Sequence, residues 1–251
     1  DPLVWRRQYR PPAGLAKLLE STRTLHRNTH VVQIMSTTVL ALGIAAGQRR
    51  ERIRAGQTPI ALARDLIRSQ VGTFGFLGKR KAYVPLVDGE SIAAGIARLL
   101  GSGTDGRQVA AIDGALVMIA DHELNPATFA ARVAASGSSD LHSCIGAALS
   151  THYGTLVGRA CDRVESLFEP AAQFDDVLAR ARRMLAGARS LPGFDHPLYP
   201  RGDPRARYLI ESALVVGGTR PVVRNMLLSR SRLEEDYGMR PSVEFGLVML
   251  C

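Results

Sequence analysis

Apolar residues along this chain recur three and four positions apart, and no stretch alternates convincingly with polar residues, so the pattern predicts helices and no sheet. Leu15 to Leu25 and Val31 to Arg54 are rich in alanine, leucine and arginine, a helical composition. Thr58-Pro59 reads as a cap and first helical residue, predicting a helix through Gln70 with Leu62 and Leu66 one turn apart. Val71 to Gly89 contains four glycines and one proline and reads as a long connection. Ile92, Ile96 and Leu99 then mark a helix that Gly101 ends, in the left-handed position just past a helix.

The same spacing continues downstream. Val109, Ile112, Leu116 and Ile119 predict a buried helix from Gln108 to Ala120 that delivers Asp121, His122 and Glu123 at its end. Asn125-Pro126 caps the next helix, with Phe129 and Val133 expected to face inward. Asp140 caps another, carrying Leu141, Ile145 and Leu149 on one face. Asp175 and Asp176 open, and Arg180, Arg182 and Arg183 close, a helix whose charges suit its macrodipole. The expected fold class is all-α.

With 251 residues and 46% hydrophobic content, the chain can bury a sizeable core in one large or two modest domains. No apolar run reaches the length of about 18 residues that spans a membrane. The opening DPLVWRRQYRPP lacks the apolar core of a signal peptide. Cys144, Cys161 and Cys251 are odd in number and lack metal-ligand spacing, so they read as reduced thiols in a cytoplasmic protein without a bound metal. The net charge of +9 comes from small groups, RRERIR from Arg49, GKRK from Gly78 and RARR from Arg180. Aromatic residues are only 6% and do not interleave with basic ones, which argues against nucleic acid. Most of the charge is expected on a solvated face; attraction of a small polyanion is the functional alternative.

One stretch concentrates the unusual residues: GFDHPLYPRGDPRAR, Gly193 to Arg207. Pro197, Pro200 and Pro204 stiffen a non-helical loop holding His196, and Asp203-Pro204 caps and opens a helix carrying Arg205. A fixed histidine, an arginine in a first helical turn and free amides there suit a carboxylate. A proline-rich surface turn with solvated arginines is the plain alternative.

This loop, together with ADHELNPATFAARVAASGSSDLHSCIGAAL from Ala120 to Leu149, resembles the citrate synthase family, whose DHE and DPRA segments occur in this order. The resemblance covers about Ala110 to the C-terminus. It implies a large helical domain, here residues 1–157, and a smaller helical domain, 158–251, with the family's closing segment of the large domain expected to be missing. It further implies a homodimer and a Claisen-type condensation of an acyl-CoA, acetyl-CoA or propionyl-CoA, with oxaloacetate or a related keto acid. The acyl-CoA would be a co-substrate, with no bound cofactor. By the resemblance His122 binds the keto-dicarboxylate, His196 polarises its ketone, and Arg205 pairs with a carboxylate.

Two positions depart from that pattern. The family's enolate-stabilising histidine falls on Val157 within GTLVGRA, Gly154 to Ala160, and valine donates nothing. The family's catalytic aspartate falls on Glu244 within PSVEF, which keeps the carboxylate but moves it by about one methylene. Asp195 stands where the family has glycine. Two readings follow: an enzyme of impaired or altered activity using His196 and Glu244, or a non-catalytic member that binds a carboxylate or a protein partner.

Overall fold

A computed structural model describes residues 10–25, 29–47, 59–102, 105–121, 123–155, 158–168, 173–187 and 189–251. His122, Val157, Thr58 and the RRERIR group lie outside these residues. Within them every regular element is helical; the one β-type contact is an isolated antiparallel bridge between Phe194 and Pro241. None of the described helices is long and apolar enough to cross a membrane. The described residues pack as two compact units, one within Asp1–Ile112 and His122–Val157, the other within Asp113–Asp121 and Gly158–Cys251.

The first unit is built from α1 (Leu15–Leu25), α2 (Val31–Gly47), α3 (Pro59–Val71), α4 (Ile92–Leu100), the start of α5 (Gly106–Met118), α6 (Pro126–Ser136) and α7 (Leu141–His152). Leu15, Leu19, Ile34, Leu42, Leu66, Phe76 and Tyr83 form its core, against which Leu141 and Ile145 pack. The connection after α3 is ordered: a 3-10 turn at Gly72–Phe76 is followed by a return in which Val84 N–H donates to the Gly72 carbonyl at 3.1 Å. Caps follow their local signals. Asn125 and Asp140 each accept an amide hydrogen bond at 2.9 Å from the residue three positions on, and Gly101 ends α4 at φ 80°.

Two expectations about helix faces fail. Phe129 and Val133 are 58% and 53% exposed, and it is Ala127 that is buried in α6. α6 packs closely on α7, and such an approach is made with small side chains, which turns the large ones outward. Likewise Ala111 and Ala115 are the buried positions of α5, which ends at Met118, while Val109, Ile112 and Leu116 are only half-buried; Ile119, just past the helix, packs against the cluster of Ala115, Leu209 and Val243. Spacing identifies a helix but does not choose which stripe faces a neighbour.

The second unit comprises the end of α5 with α8 (Ala160–Leu167), α9 (Phe174–Ala186), α10 (Pro204–Gly217), α11 (Pro221–Tyr237) and α12 (Val243–Leu250). α12 is its centre, packed against α8 and α10. Phe245 has no exposed surface and meets Phe168 and Phe194 edge-on, with ring centroids at 5.6 and 5.3 Å. Gly193 makes room for this cluster, because a Cβ there would sit 2.9 Å from Val164 Cγ2, and its φ of 81° is one a side chain rarely adopts. Phe245→Ala should therefore cost about 3–5 kcal/mol of stability, measured by urea unfolding. A loss under about 1 kcal/mol would mean that this cluster is not the core of the unit.

Candidate active site

The start of α10 and the start of α12 meet at one side chain. Asp203 is the N-cap of α10, with Pro204 first and Arg205 second in the helix; Ser242 is the N-cap of α12, with Val243 first and Glu244 second. The Asp203 carboxylate accepts the Arg205 amide at 2.9 Å and the Val243 amide at 3.1 Å, so it caps both helices. Arg205 also turns its side chain back onto it, Nε to Oδ1 at 3.0 Å and Nη2 to Oδ2 at 2.9 Å. Arg205 and Glu244 thus occupy the same position of two helices whose first turns share one carboxylate. Sequence reasoning found Asp203 as a cap for α10 only; its second helix lies 40 residues away in the chain.

The side chain of Asp203 has no exposed surface, and that of Arg205 only 10%. Burial pushes the Asp203 pKa up, but the side-chain and backbone hydrogen bonds from Arg205, its charge and the Val243 amide outweigh this and hold the group below the usual carboxylate range. The resemblance casts Arg205 as a ligand for a substrate carboxylate; here the Nε edge of its guanidinium is committed to Asp203, which fixes the plane of the fork.

His196 reaches this site through a turn. The Tyr199 amide donates to the His196 carbonyl at 2.9 Å, and the Leu198 amide donates to His196 Nδ1 at 3.3 Å. Nδ1 therefore keeps its lone pair, and the proton of the neutral ring sits on Nε2, the nitrogen that would donate to a ligand. The Tyr199 ring lies 5.2 Å from the His196 ring and 5.0 Å from the Arg205 guanidinium carbon, linking the two residues. Tyr199 had not been singled out in the sequence, although its spacing of three from His196 is that of a turn.

The other end of the loop is paired with the segment leading into α12. Asp195 N–H donates to the Arg240 carbonyl at 2.7 Å, and Ser242 N–H donates to the Gly193 carbonyl at 2.8 Å. Just beyond this short antiparallel contact, the Ser242 hydroxyl donates to the Glu244 carboxylate. His122 and Val157 fall outside the described residues, so the structure places His196, Arg205 and Glu244 of the candidate set.

Two neighbouring features bound the chemistry. Cys161 of α8 lines an apolar cavity of about 350 Å³, and burial, with the charge of Glu244 adding to it, pushes its thiol up to about 12. Such a thiol is not a nucleophile near neutral pH. A cleft of about 420 Å³ adjoins Asp203 and Arg240, rimmed by Arg201, Arg207 and Arg230; Glu234 ion-pairs with both Arg230 and Arg240. Among the described residues no group of histidine, cysteine and acidic side chains could hold a metal ion.

The sequence matches the family described as citrate synthase, C-terminal domain, over residues 5–250. The chain belongs to the citrate synthase family. Among curated members, citrate synthase 2 of Bacillus subtilis is 31% identical over 193 residues, covering 73% of this chain and 50% of that protein. The 2-methylcitrate synthase of Shewanella oneidensis is 33% identical over 119 residues, 47% of this chain and 32% of that protein. This citrate synthase family chain thus spans half the length or less of these two relatives. Its fold superposes on Thermoplasma acidophilum citrate synthase, solved with carboxymethyl coenzyme A and oxaloacetate, with a TM-score of 0.78 at 20% identity, covering 99% of this chain and 67% of that one.

The shared carboxylate generates a sharp expectation. Asp203→Ala should cost about 3–5 kcal/mol, because it strands a buried guanidinium and uncaps two helices. Since the folded pKa of Asp203 lies below its unfolded value, its contribution is complete above roughly pH 4 and is lost as pH falls through the lowered folded pKa. Urea titrations between neutral pH and pH 3 should therefore show the parent losing more stability than Asp203→Asn. Equal acid sensitivity would remove Asp203 from its central place.

Proposed function

We propose that this chain is the condensing part of an acyl-CoA-dependent enzyme, joining acetyl-CoA or propionyl-CoA to oxaloacetate or a related keto acid. The observation that carries this reading is the linkage of His196, Arg205 and Glu244 through Tyr199, Asp203 and the 193–195 to 240–242 contact. In the proposed reaction Glu244 takes a proton from the methyl or methylene carbon next to the thioester carbonyl. The enolate so formed attacks the keto carbon, whose oxygen is polarised by the Nε2 proton of His196. His122 and Arg205 bind the keto acid carboxylates, Arg205 with its plane set by Asp203. Hydrolysis of the thioester then releases coenzyme A. The arginine-rimmed cleft beside Arg240 supports attraction of an anionic co-substrate.

The proposed setting is a cytoplasmic homodimer with residues 1–157 as the large domain and 158–251 as the small one. The outward Leu124, Phe129 and Val133 near and on α6 supply an apolar surface that a second copy would cover. A second reading, a non-catalytic member binding a carboxylate or a protein partner, draws support from Val157, which offers no donor to an enolate.

Calorimetric titration with oxaloacetate followed by acetyl-CoA, with a thiol-release assay, separates the readings. Oxaloacetate should bind, and His196→Ala should weaken it by about 1–2 kcal/mol through loss of one hydrogen bond. No heat of binding, or unchanged binding by His196→Ala, would sink the keto-acid site. Thiol release by the parent should be slow, since one missing donor costs about 10²–10³ in rate. Val157→His combined with Glu244→Asp should raise it above either single change. Fast parent turnover that survives Glu244→Gln would show that the base lies elsewhere.

A further inference from the structure

Asp195 precedes His196 and holds its backbone at φ 53°, in the left-handed region that favours glycine. Aspartate tolerates that conformation when its short side chain finds a local hydrogen bond, and here it does. The Asp195 carboxylate accepts the Arg240 amide at 2.9 Å, while the Asp195 amide donates to the Arg240 carbonyl at 2.7 Å. One residue thus takes both backbone groups of Arg240. The Arg240 side chain is in turn ion-paired with Glu234 of α11, so the clasp is anchored to a long helix.

The carboxylate contact differs from the rest of the pairing. The bonds from Asp195 N–H and Ser242 N–H are backbone to backbone and use no atom of the Asp195 side chain. The bond to Arg240 N–H exists only because this side chain carries an acceptor. It closes the pairing at the point where the chain leaves for the His196 turn, and nothing else holds Arg240 N–H among the described hydrogen bonds. A lone backbone bond at the end of so short a contact would fray readily.

We propose that Asp195 is a positioning residue, whose side-chain clasp on the Arg240 amide holds the His196 turn in fixed register with the start of α12 and Glu244. This rests on the roles proposed above for His196 and Glu244, while the clasp can be tested apart from them. Asp195 touches no reacting atom; it acts through its neighbour.

The test compares the full chain with Asp195→Asn and Asp195→Gly. Both substitutions suit the left-handed backbone, but asparagine retains an acceptor oxygen and glycine does not. Amide hydrogen exchange at Arg240 should quicken by about tenfold or more in Asp195→Gly and stay within about twofold of the parent in Asp195→Asn. Nitrogen NMR of His196 should show one neutral tautomer in the parent and in Asp195→Asn, and an averaged signal in Asp195→Gly. Oxaloacetate affinity should fall by about five- to tenfold in Asp195→Gly and be retained in Asp195→Asn, since misplacing a binding group by about 1 Å is costly. If Asp195→Gly matches the parent in Arg240 exchange and in the His196 signal, the clasp does no positioning and the proposal fails. If Asp195→Asn is as defective as Asp195→Gly, charge rather than the clasp is responsible, and the proposal also fails. If the parent itself ignores oxaloacetate, the keto-acid reading falls, and exchange and the His196 signal still decide the clasp.

Discussion

The carboxylate of Asp203 meets four nitrogen donors: two from the Arg205 side chain, the Arg205 amide and the Val243 amide. A buried charge is stable only when its lost hydration is replaced, and here an ion pair and two helix N-termini replace it together. The arrangement couples elements distant in sequence. α10 and α12 cannot separate without breaking the bond from the Val243 amide to Asp203, which leaves the start of α12 without a side-chain acceptor. Because Arg205 and Glu244 are each the second residue of a helix whose first turn binds Asp203, the interaction that stabilises the unit also sets where these candidate side chains begin.

The packing of α12 completes that constraint. Phe245 and Met249 turn into the core while Glu244, on the adjoining face, stays half-buried beside Ser242. Gly193, pressed against Val164, brings the loop close enough for backbone pairing with residues 240–242. The loop is thus held at its base, with Phe194 buried, and open at its tip, where Pro197 and Leu198 are exposed. A histidine between the two is restrained by the base and accessible from the tip, which suits a group that must be positioned yet reach a ligand.

Local rules explain how much was legible. Asn125, Asp140 and Asp203 were readable as caps because a cap joins a side chain to an amide two or three residues away, and both partners lie in one short window. The left-handed backbone at Asp195 and its compensation by Arg240 were not legible, since 45 residues separate the partners. The inward assignment of Phe129 and Val133 failed for a related reason. Their spacing is helical whichever way the helix is rolled, and the roll follows from α7, which accepts alanine at close range.

By itself, then, the sequence determined the all-α class, most helix starts, the family and the identity of His196, Arg205 and Glu244 as candidates. These depend on spacing, capping and motif, which are properties of contiguous residues. Only the tertiary structure decided that Asp203 serves two helices, that Tyr199 lies between His196 and Arg205, and that Arg205 is already engaged. Each of these is a contact whose partner, or whose side-chain direction, is selected by how the helices pack. A buried carboxylate takes whatever donors the fold brings within reach, and no local pattern names them in advance.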